Sequence, residues 1–139
     1  MSFDDLMQQQ FRQWVHELWA KRNLERPDQG PEATFLRLLE EHPEYHDIWS
    51  LPTPPTDPTI GGTNPYLHIS LHQAVDEQLH SGEPAEVRDT FVRLKKLGDH
   101  EHEARHRIMG VLVTVMNASM QKGVAFDTAD YEKRLRALG

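Results

Sequence analysis

Apolar residues along this chain recur at intervals of three and four, and no stretch alternates convincingly with period two. Helices are therefore the only regular structure that the pattern supports. Phe3, Met7, Phe11, Trp14, Val15, Leu18 and Trp19 form one broad face of a first helix, with Ser2 as its expected cap and Asp4 and Asp5 in its first turn. Residues 26–30 break that pattern, and Pro31 suits the first turn of a second helix carrying Phe35, Leu36, Leu38 and Leu39. Pro43 opens a short helix ending near Trp49, which leaves His42 as a cap outside it. Residues 51–63 read LPTPPTDPTIGGT, and four prolines with two glycines forbid regular structure there. A domain boundary in this loop is not expected, because neither flank has enough apolar residues for a comfortable core of its own. Asn64-Pro65 starts a helix reaching to about His80. The next, over roughly 84–97, turns Val87, Phe91, Leu94 and Leu97 inward. Gly98 ends it, and Asp99 is the expected cap of the longest and most apolar helix, which Lys122-Gly123 closes. Asp127-Thr128 begins a last helix with Tyr131, Leu135 and Leu138 on one face. The expectation is an all-α chain, a compact bundle of about five to seven helices in a single domain over residues 1–139.

Composition narrows the function classes. The chain has 139 residues, a formal net charge of -7, nine histidines and no cysteine. Without cysteine there are no disulfides, thiolate zinc sites, iron–sulfur clusters or cysteine nucleophiles. The acidic balance argues against nucleic acid and anionic membranes as partners. No apolar run approaches the roughly 18 residues of a membrane span. The acidic N-terminus reads as neither signal nor transit peptide, so a cytoplasmic location is expected. Trp14, Trp19 and Trp49 read as core, Arg93, Lys95 and Lys96 as a solvated face, and Met109, Met116 and Met120 as core methionines. Neither a Gly-rich phosphate loop nor a G-x-S-x-G elbow is present.

The histidines are the compositional anomaly. His42 with His46, His68 with His72, and His102 with His106 share the spacing i, i+4, where chance would supply about half a pair. Residues so spaced stack on one helix face, so two imidazoles converge on one metal ion. With His102 at zero on a helical wheel, His106 lies at about 40°, Met109 at about 340°, Val113 at about 20°, and Met116 and Met120 close by. That places the pair at the head of an apolar stripe. His68 and His72 likewise continue the stripe of Val75 and Leu79. Two inward-facing pairs point to a first shell of His68, His72, His102 and His106, with His46 and Asp76 in reserve. His16 and His80 read as surface or boundary residues, and His100 is undecided. An imidazole-rich shell with few carboxylates favours zinc, with iron, nickel or copper as alternatives. Di-iron chemistry would need more inward carboxylates, and Glu77 falls on the far side of its helix. Nothing signals haem.

Residues 102–106 also spell H-E-x-x-H, in which Glu103 would act as general base in a small zinc hydrolase. Against that reading, no acidic residue follows His106 before Asp127, no edge strand is expected to hold a peptide, and the domain is small for a substrate cleft. A third reading is a non-catalytic interaction domain whose histidines form a buried polar network.

HPEYH (42–46), NPYLHISLH (64–72), Glu77-Gln78 and GDHEHEARHRIM (98–109) together resemble a family of short bacterial proteins catalogued only as a domain of unknown function. Its pattern is an N-P-x-L-H-x-x-x-H segment, then Glu-Gln, then a Gly-Asp segment with H-E-A-x-H-x-M. This sequence has Ile108-Met109 in place of paired methionines, followed by Gly110. The resemblance spans about residues 35–138. It implies a helical fold and gives weight to His68, His72, His102, Glu103 and His106, but implies no activity. The histidine layout is also similar to helical metalloproteins of the damage-inducible and hemerythrin-like kinds, a likeness of architecture alone.

Overall fold

A computed structural model describes residues 3–59 and 63–139, with side chains from residue 8 onward. The expected Ser2 cap and the side chains of Phe3 and Met7 lie outside the described residues. The described residues are all-α: α1 (Phe3–Lys21), α2 (Gly30–Glu40), a 3-10 turn (Pro43–Tyr45), α3 (His46–Trp49), α4 (Pro65–Ser81), α5 (Ala85–Lys96), α6 (Glu101–Lys122) and α7 (Thr128–Ala137). No helix among them is long and apolar enough to cross a membrane.

Local chemistry sets the boundaries. Pro31 sits in the first turn of α2, where its missing N–H costs nothing. Asn64 Oδ1 accepts the Tyr66 N–H at 3.0 Å and caps α4. Gly123, with φ 66°, adopts the left-handed conformation that ends α6, and Val124 N–H returns to the Ser119 carbonyl at 3.0 Å. Asp127 caps α7 through the Asp130 N–H at 3.0 Å. Two expectations need correction. His100, and not Asp99, is the N-cap of α6, because the Asp99 carboxylate is drawn to Arg107 at 2.8 Å. Leu97 lies just beyond the end of α5 and is exposed.

The chain divides into two compact units, residues 1–69 and 70–139, and the division falls inside α4 and away from the proline-rich loop. In the first unit Val15, Leu18 and Trp19 pack with Phe35, Leu36, Leu39, Tyr45, Trp49, Tyr66 and Ile69. Edge-on aromatic contacts order this core: Trp14 meets Phe35 at 5.0 Å and Trp49 meets Tyr66 at 5.3 Å. The core also encloses His16, expected at the surface but only 4% exposed. Its Nδ1–H donates to the Leu51 carbonyl at 2.9 Å, and its Nε2 accepts the Tyr66 hydroxyl at 2.6 Å. With both ring nitrogens satisfied, its burial costs little.

In the second unit Leu71 and Val75 of α4 pack with Val87, Leu94, Ala104, Ile108, Met109, Leu112, Val115, Tyr131 and Leu135. Buried polar groups tie its helices together. The Tyr131 hydroxyl donates to Gln78 Oε1 at 2.7 Å, and Thr90 Oγ1 donates to the Leu135 carbonyl at 3.2 Å. Arg93 does not belong to a merely solvated face, for it donates to the Leu135 and Leu138 carbonyls and so satisfies the end of α7.

Ile108→Ala should cost about 2–5 kcal/mol of stability in urea denaturation, and Tyr131→Phe about 1 kcal/mol. Burial pushes the Tyr66 phenol up to about 12, with Arg12 opposing it. Burial also raises Tyr131, with its Gln78 hydrogen bond opposing. Both phenols are thus held neutral relative to the unfolded value of about 10. Their contribution is complete below pH 10 or so and is lost as pH rises toward 12. Urea melts at increasing alkalinity should show that decline, and replacing both tyrosines by Phe should flatten it.

Candidate metal centre

The long helix α6 places its histidines by phase, though not the phase that hydropathy suggested. Its buried residues Ala104, Ile108, Leu112, Val115 and Ser119 cluster at about 200–280° on the wheel where His102 is zero. Met109 is buried between that stripe and the histidines, whereas Met120 is 74% exposed. His102 and His106 therefore stand on the flank of the packed stripe, not at its head. One turn apart, their rings meet nearly edge-on at 4.1 Å between centroids.

Facing them is His72 of α4, which is 0% exposed. Its ring centroid lies 4.7 Å from that of His106 and 5.2 Å from that of His102. His72 Nε2 and His106 Nε2 approach to 2.9 Å. One ring nitrogen from each of the three histidines lies within 4.8 Å of the others. Two nitrogens on a tetrahedral ion with bonds of 2.0–2.1 Å would sit about 3.3 Å apart, so small side-chain shifts suffice to admit one. Beside the trio, Asp76, one turn beyond His72, pairs with Arg105 Nε at 3.1 Å. The guanidinium lies 5.7 Å from the centre of the Phe91 ring.

Of the histidines that the sequence proposed, the structure brings His72, His102 and His106 together within the second unit. His68 belongs to the first unit, and its Nε2 is 3.2 Å from Nε2 of His42. His46, a reserve ligand in the sequence reading, is engaged elsewhere. Its Nε2–H lies 3.2 Å from both the Leu39 and Glu40 carbonyls, so it closes the end of α2. Its ring packs on Trp19 at 4.6 Å.

Glu103 is also turned to a different task. Its exposed carboxylate accepts the His100 N–H at 3.4 Å, the reciprocal half of a capping box, and lies 3.9 Å from the His100 ring. A residue capping its own helix from the solvent side is poorly placed to serve a metal-bound water, so the hydrolase reading loses support. His80 and His100 are exposed. His42, paired with His46 by spacing but read as a cap outside a helix, is only 1% exposed. It caps the 3-10 turn as expected; its burial arises from tertiary packing, which no spacing rule detects.

An all-α chain with a three-histidine cluster on two helices is the class that fold and site define. The chain belongs to the family described as a domain of unknown function (DUF1841), whose profile matches residues 7–137, as the resemblance implied. No curated protein and no solved structure matches it. Glu103→Ala should lower stability by at most about 1 kcal/mol, the range of a lost helix cap. Uptake of added zinc, measured by competition with a chromophoric chelator, should be unchanged; a loss would return Glu103 to the site.

Proposed function

We propose that this is a metal-binding helical protein in which His72, His102 and His106 hold a divalent transition ion. The observation that carries the reading is the convergence of three ring nitrogens within 4.8 Å around a fully buried His72. Neutral imidazoles suit zinc, copper, nickel and mononuclear iron, and zinc is the default in an all-nitrogen set. Three protein ligands leave a fourth tetrahedral position for water or a further donor, the arrangement of zinc sites that stay chemically open. The Asp76–Arg105 pair flanks the site as an orienting partner rather than a first ligand, since Asp76 is already engaged by a cation. The cysteine-free, acidic composition fits a cytoplasmic protein whose partners are neither nucleic acid nor membrane.

Protein purified without added metal should contain close to one equivalent of a transition ion, or take up one equivalent of zinc after mild chelation. A ligand present at 100 times its Kd stabilises by about 2.7 kcal/mol, so the melting temperature should fall clearly on chelation. His106→Ala should abolish both the uptake and the chelator sensitivity. An interaction domain with a buried histidine network gives a different result: His106→Ala destabilises, but the melts with and without chelator coincide. That outcome, with no metal taken up, overturns the proposal.

A further inference from the structure

We infer that His42 and His68 are a further pair of metal-ligating imidazoles, acting through their facing Nε2 atoms. The inference rests on the metal-binding reading of the histidine trio, and the observations that carry it are the contact between His42 and His68 and the hydrogen bond that fixes the His42 ring. His42 follows α2 and caps the 3-10 turn, while His68 lies in the first turn of α4. Their Nε2 atoms are 3.2 Å apart, close to the separation of about 3.3 Å that two nitrogens adopt on a tetrahedral ion.

The tautomer of His42 is fixed by its other nitrogen. A carbonyl oxygen only accepts, so the 2.8 Å contact between His42 Nδ1 and the Leu38 carbonyl requires the proton on Nδ1. Neutral His42 therefore presents an Nε2 lone pair toward His68. An Nδ1–H held by a backbone carbonyl, with Nε2 left as the donor atom, is the usual support of a metal-bound histidine. Tyr45 fixes both rings: it stacks on His42 with planes 7° apart and meets His68 edge-on at 5.7 Å. Chain entropy that a mobile ligand would lose on binding is thus already spent in folding. The ligand class is a borderline or soft transition ion, and the positions that two imidazoles leave open are completed by water or further donors.

Cobalt(II) is the probe, added to the full-length chain after chelation, with uptake read by elemental analysis and by visible absorption. His42→Asn keeps a donor for the Leu38 carbonyl while removing Nε2, and His68→Gln changes the less buried partner. Each should lose cobalt equivalents or weaken cobalt binding by at least about tenfold, and alter the absorption bands. Should His42→Asn fail to fold by circular dichroism, His68→Gln alone decides. Wild-type equivalents, affinity and spectrum in the folded variants, together with loss of uptake in His106→Ala, would show that the pair shares only an N–H···N hydrogen bond. This inference would then fall while the trio stands. No cobalt uptake by the unmodified chain would remove both.

Discussion

Two imidazole nitrogens 2.9 Å apart, one belonging to a fully buried ring, admit at most one proton between them. A proton on each of these nitrogens would set two N–H donors head to head with no acceptor between them. The contact between His72 and His106 is therefore one in which the two facing nitrogens share a single hydrogen or a metal ion. The second unit is built to hold that separation. Asp76 and Arg105 link α4 to α6 beside the histidines, while Tyr131 and Gln78 link α7 to α4. Because these ties are polar and directional, they fix the rotation of α4 about its axis as well as its distance from its neighbours.

The helix boundaries were largely legible because they follow from single residues. Pro31, Asn64, Gly123 and Asp127 act where hydrogen bonds must start or stop. Asp99 misled because a cap competes with any cation within reach, and Arg107, two turns along the sequence, won its carboxylate. The rotation of α6 was not legible. Apolar residues surround much of that helix, so hydropathy could select Val113, Met116 and Met120 as readily as Ile108, Leu112 and Val115. Packing chose the second set, which includes Ala104 and Ser119. Small residues permit close helix approach but hardly register on a hydropathy scale.

The candidate site was half legible. Helical spacing found His102 with His106 and drew attention to His72, since residues one turn apart must share a face. It gave no sign of the burial of His16 or His42, whose partners Tyr66 and His68 are remote in sequence. Two further residues have tasks in the helix framework that short motifs do not show. Glu103, the base of the H-E-x-x-H match in the hydrolase alternative, accepts the N–H of the cap three residues before it. Of the pair His42 and His46, reading Pro43 as a helix start left His46 in reserve, whereas His42 is the more deeply buried member.

The carboxyl end of α2 has a consequence of its own. Its last carbonyls carry the negative pole of an 11-residue helix. That pole is taken up by two rings: His42 binds the Leu38 oxygen, and His46 those of Leu39 and Glu40. A ring whose Nδ1 proton is drawn toward a helix's negative pole becomes a stronger Lewis base at its other nitrogen. The peptide dipoles of α2 thereby reach the His42 ring, and a backbone segment decides which of its two nitrogens carries the proton.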